Sequence, residues 1–257
     1  MSLYSKDFEI KGKNAVIAGG AKNLGGQTAK ELARFGANLF LHYRSSSDES
    51  GAKKLVEEIT KAHPDVKVFL YQADLKSSQD VANLFAAAKQ KLGSIDIAIN
   101  NVGKVLKKPI SQISEHEFVE MDNVNNKIAF YFIQEAGKNI NDNGKIVSIV
   151  TSLLAAYTPF YSVYQGTKAP VEYYSKSASK ELMSKGVSVN SVAPGPMDTP
   201  FFYPQEAKGD VEFYKTCALH SRLTKVEDIV PIIRFLVTEG GWISGQTIYA
   251  SGGFTAH

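Results

Sequence analysis

Seven short runs of the chain are apolar at nearly every position: NAVIAG (14–19), NLFLHY (38–43), VKVFLY (66–71), IDIAIN (95–100), KIVSIV (145–150), VSVNSV (187–192) and QTIYAS (246–251). A strand with one wet face alternates apolar and polar residues, whereas a strand covered on both faces does not. These runs therefore predict a parallel sheet flanked by helices. The stretches between them carry amphipathic helical spacing, as in Leu24, Ala29, Leu32, Ala33 and Phe35, or Leu55, Val56 and Ile59. Strand then helix, repeated along the chain, predicts a doubly wound α/β architecture. Residues 200–220 break the alternation and predict an excursion from the sheet. No composition shift marks a linker, and 257 residues suffice for one large core, so a single domain over 1–257 is expected.

Composition narrows the function classes. The 44% hydrophobic and 21% charged content is that of a globular chain. Its 29 basic and 26 acidic residues are scattered, leaving a net charge of +3 and no basic stripe for a phosphate backbone, so nucleic acid is not an expected partner. Cys217 is alone and can close neither an intrachain disulfide nor a thiolate zinc site, which fits a reducing compartment. His42, His63, His116, His220 and His257 lie far apart, so no metal is expected. The opening MSLYSKDFEIKGK lacks the apolar core of a signal peptide, and no run of about eighteen apolar residues occurs, so a soluble cytoplasmic protein without a membrane partner is expected.

Candidate chemistry begins at AGGAKNLGGQTAKELARFG, which follows the first strand and opens the first helix, where a doubly wound fold binds a pyrophosphate. Its Gly19, Gly20, Gly25 and Gly26 depart from strict G-x-G-x-x-G spacing, with Asn23, a residue tolerant of left-handed backbone, where a glycine is common. About twenty residues on, where an acid would bind a ribose 2′-hydroxyl, the chain reads LHYRSSS. No acid appears before Asp48. Arg44 with the hydroxyls of Ser45, Ser46 and Ser47 suits a 2′-phosphate, and Lys22 offers a second positive charge. The plain alternative is a solvated arginine at a strand end. The expectation is NADP(H) rather than NAD(H).

A second cluster is YQGTK, in which Tyr164 and Lys168 leave one face of a helix four positions apart. Alone, such a pair is ordinary surface. Taken in order with the glycine turn, NNVG (100–103), VNNK (124–127), VTS (150–152) and PGPMDTP (194–200), it makes the chain resemble the short-chain dehydrogenase/reductase family from about residue 12 to the end. The resemblance implies a Rossmann-type doubly wound sheet and hydride transfer between a nicotinamide and a carbonyl or secondary alcohol. Tyr164 would be the general acid. A free tyrosine titrates near pKa ~10, and the Lys168 ammonium one turn away would lower that value. Lys168 would also hold the nicotinamide ribose, Asn125 would reach the lysine through water, and Gly166 would keep the cofactor side of the turn uncrowded. Counting back thirteen residues from Tyr164, where the family has serine, lands on Thr151, with Ser152 as the substitute.

For the dinucleotide, the resemblance implies contacts from Gly19, Lys22, Asn23, Leu24 and Gly25; from Tyr43, Arg44 and Ser45; and from Asp74 and Leu75. Asn101, Val102 and Gly103 follow, then Tyr164 and Lys168, then Pro194, Gly195, Met197 and Thr199. Asp74 would lie near the adenine amino group, a helix N-cap being the alternative. Ala18 and Val102 depart from the family's usual threonine and alanine. The segment 201–219 is where the family places a substrate lid, and its Phe201, Phe202, Tyr203, Phe213 and Tyr214 face either an apolar ligand or the body of the protein. Tyr157, Phe160 and Tyr161 add aromatic surface, while Lys104, Lys107 and Lys108 read as a solvated face or an attraction for an acidic substrate. The expected substrate is an apolar or aromatic carbonyl or alcohol, bound near Ser152, Tyr157, Phe201 and Phe202. The helices at 114–140 and 162–185 would form a homodimer or homotetramer interface. A competing class is a dinucleotide-binding sensor or scaffold without turnover, because a fold alone establishes no reaction.

Overall fold

The computed structural model describes residues 9–255. Among these, one sheet contains β1 (Asn14–Ala18), β2 (Asn38–Tyr43), β3 (Val68–Gln72), β4 (Ile97–Asn100), β5 (Lys145–Ile149), β6 (Ser188–Pro194) and β7 (Thr247–Ala250). Their order is β3-β2-β1-β4-β5-β6-β7, and every pairing is parallel. The helices are α1 (Asn23–Arg34), α2 (Glu49–Ala62), α3 (Ser78–Leu92), α4 (Glu115–Asp122), α5 (Ile128–Asn139), α6 (Leu153–Ala156), α7 (Ser162–Glu181), α8 (Lys208–Thr216) and α9 (Val226–Val237). The chain winds outward from β1 to β3, then returns to β4 and winds toward the other edge. Between β1 and β4 the connections leave in opposite directions, which opens a crevice beyond the carboxyl ends of the strands.

Strand pleat sorts the core into two layers. Val16 pairs with Phe40 and Ala98, while its neighbours Ala15 and Ile17 pair with Leu39, Leu41, Ile97 and Ile99. The odd-numbered set packs with Leu32 of α1, Leu55 and Ile59 of α2, and Ile229 and Ile233 of α9. The even-numbered set packs with Leu84 and Phe85 of α3 and Phe132 and Ala136 of α5. Both faces are covered, which is why the inner strands show no polar alternation. Phe85 and Phe132, fully buried, meet edge to face with centroids 5.1 Å apart.

Two expectations need correction. Phe35 is not on the inner face of α1: it caps the helix, exposed, beneath the guanidinium groups of Arg34 at 4.7 Å and Arg234 at 5.1 Å. The helix expected at 114–140 is interrupted by a π-helical turn, Asn123–Lys127, between α4 and α5. Segment 200–220 lacks strand structure, as expected, and contains α8 between single turns at Tyr203–Gln205 and Leu219–Ser221. Its base is closed by Thr224 donating to the Pro196 carbonyl at 2.9 Å and Asp198 donating to the Thr224 carbonyl at 2.8 Å. No helix among the described residues is long and apolar enough to cross a membrane.

Candidate active site

The turn from β1 into α1 is held in a shape that side chains would spoil. Gly19 has a φ of 68° and Asn23 a φ of 48°, both left-handed. A Cβ at Gly25 would lie 2.1 Å from the Gly19 carbonyl oxygen, so α1 can approach the strand end only through a glycine. Asn101 donates to that same oxygen at 3.0 Å, and the Gly19 N–H donates to His42 Nδ1 at 3.1 Å. Accepting at Nδ1 leaves the His42 proton on Nε2, which donates to the Ala73 carbonyl at 2.8 Å. Burial pushes this imidazole below its ordinary pKa and favours the neutral form that both bonds require. The result is a rigid backbone cradle at a helix N-terminus, suited to a pyrophosphate.

At the end of β2, Arg44 is exposed and forms no ion pair among the described residues. Lys22, expected to offer a second free charge, instead pairs with Asp48 at 2.7 Å and holds that carboxyl below the usual carboxylate range. Ser45 donates to the same carboxylate at 3.2 Å and meets the Ser47 hydroxyl at 2.7 Å. Asp74 is not the cap of α3: Ser77 and Asp80 form a capping box there, and Asp74 pairs with Lys76 at 2.9 Å.

The Tyr164 and Lys168 side chains are buried on the first two turns of α7. Thr151, after β5, accepts from the Leu153 N–H at 3.2 Å, and its hydroxyl lies near enough to the Tyr164 phenol to favour the phenolate. Burial nevertheless pushes Tyr164 up to about 12, the Thr151 hydroxyl opposing it. Burial likewise pushes Lys168 down to about 8. The Lys168 ammonium donates to the carbonyls of Val102 at 3.1 Å and Ile149 at 3.0 Å rather than to the phenol. The closeness of the lysine to the β4 loop depends on Gly103, where a Cβ would sit 3.1 Å from Nζ. Asn125 projects from the π-helical turn and is fully buried. Its amide clasps the Lys104 backbone, accepting from the N–H at 2.9 Å and donating to the carbonyl at 2.8 Å, and also donates to the Thr167 hydroxyl at 3.2 Å. Gly166 crowds nothing, since it is exposed and a Cβ there would meet no atom within 4 Å.

One cavity of about 550 Å³ runs past all three regions. It is lined by Gly19, Lys22, Asn23 and Leu24; by Tyr43, Arg44, Asp74 and Leu75; by Asn101, Val102 and Gly103; and by Thr151, Ser152, Tyr164 and Lys168. Pro194, Gly195, Met197, Thr199, Phe201 and Phe202 complete the residues foreseen from the sequence. Gly25, Ser45 and Asn125 stand behind the lining as supports. Tyr157 is not brought in: 78% exposed, it ends α6 in a left-handed backbone, and Tyr161 lines the cavity instead. Phe160, Tyr203 and Phe213 are also exposed. Sequence reasoning missed His42, Asp48 and Gln205, because within an apolar strand, a polar turn and a lid segment nothing sets them apart. The lysines after β4 are neither free nor solvated as a set: Lys104 pairs with Glu120, Lys107 with Glu206 and Asp210, and Lys108 with Glu117.

These residues fit a nicotinamide dinucleotide on two grounds besides the cradle. The Thr199 hydroxyl is buried beside the cavity with no partner among the described residues, as a position awaiting a ligand amide would be. At the opposite end Arg44 presents a guanidinium with no ion-pair partner among the described residues. Among the described residues no cluster of His, Cys, Asp and Glu is arranged to hold a metal ion.

A parallel doubly wound sheet with this crevice and a glycine turn at the first helix is the architecture of dinucleotide-binding α/β proteins. Residues 19–255 match the family model described as Enoyl-(Acyl carrier protein) reductase. The chain belongs to the short-chain dehydrogenase/reductase family. It is 32% identical over 253 residues to a short-chain type dehydrogenase/reductase of Picea abies, covering 95% of this chain and 93% of the relative. It is 31% identical over 266 residues to the chloroplastic NADPH-dependent aldehyde reductase 2 of Arabidopsis thaliana, covering 98% and 97%. A Burkholderia cenocepacia protein assigned as a dehydrogenase and crystallised with NADP bound superposes with a TM-score of 0.95 at 50% identity, covering 97% of this chain and 96% of that one.

Proposed function

We propose that the protein is an NADP(H)-dependent oxidoreductase that interconverts a carbonyl and a secondary alcohol. The observation that carries this is one cavity joining Arg44, which has no ion pair among the described residues, at one end to Tyr164 and the neighbouring Thr151 at the other. The cavity would hold NADPH along its length, and the coenzyme would supply a hydride for the carbonyl carbon. Tyr164 gives its phenol proton to the carbonyl oxygen, and Thr151 steadies that oxygen by hydrogen bonding. The Lys168 ammonium, fixed by two backbone carbonyls, stabilises the phenolate left behind. Ser152 lines the same end and is the second hydroxyl available to the substrate. Arg44 holds the 2′-phosphate with little help from Lys22, whose charge is shared with Asp48. The exposed Phe118, Val119 and Phe130 on α4 and α5 and Tyr173 on α7 support assembly into a homodimer or homotetramer.

The test is NADPH and NADH oxidation against ketones, diketones and quinones, with Arg44→Ala beside the parent. NADPH is expected to be preferred in kcat/KM, and the substitution to lower that preference by about tenfold or more, the loss of one charge-assisted contact. Equal use of both coenzymes by the parent would contradict the coenzyme assignment.

A further inference from the structure

Gln205 stands where segment 200–220 meets the cavity, in the turn Tyr203–Gln205. Its side chain has one fixed orientation. The Lys107 backbone N–H donates to Oε1 at 3.2 Å, and because an amide nitrogen cannot accept that bond, the NH₂ group is the end left over. It has no hydrogen-bond partner among the described residues, so it is a donor on the wall of the cavity that also contains Tyr164 and Thr151.

The turn carrying Gln205 is anchored. Next to it, the Glu206 side chain is fully buried, taking one oxygen to Lys107 Nζ at 2.6 Å and the other to the Tyr161 hydroxyl. Lys107 also reaches Asp210 at 2.7 Å, from the first turn of α8. An ion pair this buried adds little net stability, but breaking it leaves an uncompensated charge, so it fixes position strongly. The loop after β4 and the segment after β6 are thereby locked together, with Gln205 held at the cavity wall.

Local charge says what that donor meets. Lys107 is outnumbered by two carboxylates, and Lys104 and Lys108 are each paired. The cations lining this end are Lys104, in its ion pair with Glu120, and Lys168, which is already committed to two backbone carbonyls. The wall here also includes Phe202, Pro204, Tyr161, Tyr214 and Leu153, with the Ser152 hydroxyl beside Thr151. An anionic substrate would find no free counter-charge, whereas a neutral acceptor oxygen would find Gln205.

Resting on the reductase reading above, we propose that the substrate is a neutral carbonyl compound with a second hydrogen-bond acceptor, such as a diketone or hydroxyketone, and that Gln205 recognises that second oxygen. The experiment measures kcat/KM for NADPH-dependent reduction of acetylbenzoyl, of its two monoketone counterparts propiophenone and phenylacetone, and of anionic benzoylformate. A diketone is intrinsically more reactive, so the parent ratio alone decides nothing; the change in ratio on substitution does. Gln205→Leu removes the donor, and Gln205→Glu keeps an acceptor for the Lys107 N–H while replacing the donor by an oxygen. NADPH titration checks that both variants fold. In both, the preference for acetylbenzoyl over the monoketones is expected to fall about tenfold, the worth of one hydrogen bond. A loss shared equally by all the ketones would assign Gln205 to holding the segment in place and overturn the proposal, as would benzoylformate reduced as well as acetylbenzoyl. Oxidation of NADPH by none of the four would contradict the reductase reading itself, and this inference with it.

Discussion

Tyr164 and Lys168 show what one burial does to an acid and to a base. The phenol is pushed up to about 12 and stays protonated across the working range, while the ammonium is pushed down to about 8 and does not. Lys168 loses its proton in the folded chain before it does in the unfolded one. Its burial therefore weighs against folding below pH 8, and this cost is relieved as the pH rises from there toward the unfolded value of roughly 10.4. Activity runs the other way, because only the charged lysine stabilises a phenolate. We expect kcat/KM for reduction to be level below pH 8 and to fall about tenfold per pH unit above it. A profile still level two units higher would contradict this role for Lys168. The pair itself was legible in YQGTK; the value near 8 was not, since it depends on residues distant in sequence closing over the ammonium. His42 was illegible for the same reason. Nothing in NLFLHY says that one imidazole ties the glycine turn to the end of β3.

At the scale of elements, α7 carries a glycine that the reaction does not need. Gly166 lies in the helix interior and faces open space, so Gly166→Ala should stabilise the chain by ~1 kcal/mol and raise Tm by roughly 2–4 °C with turnover kept. Thermal unfolding beside an activity assay checks it, and a loss of turnover would restore the cofactor-side role expected from the sequence. The strands were legible because both faces of the sheet are covered, so apolar runs appear without alternation. The π-helical turn was not, since one inserted residue leaves the composition of 114–140 unchanged. Its consequence is local: it brings Asn125 against the Lys104 backbone, and so shapes the loop on which Lys168 rests.

For the whole molecule, strand order sets the crevice and the two ends of the cavity set the chemistry. Each strand-end motif was readable in order along the sequence, but the substrate end was not, because Lys107, Tyr161, Gln205, Glu206 and Asp210 come from segments that meet only in three dimensions. The aromatic surface of α4, α5 and α7 leads us to expect a dimer or larger assembly, and light scattering of a monomer at micromolar concentration would count against it. Whether the cavity performs turnover or only binds a dinucleotide is decided most directly by Tyr164→Phe, which removes one oxygen from the site and leaves the coenzyme end intact. The account predicts a loss of about 10²–10⁴ in kcat for carbonyl reduction with NADPH affinity kept. Undiminished turnover in the variant, or a parent protein that binds NADPH and reduces no carbonyl, would contradict it.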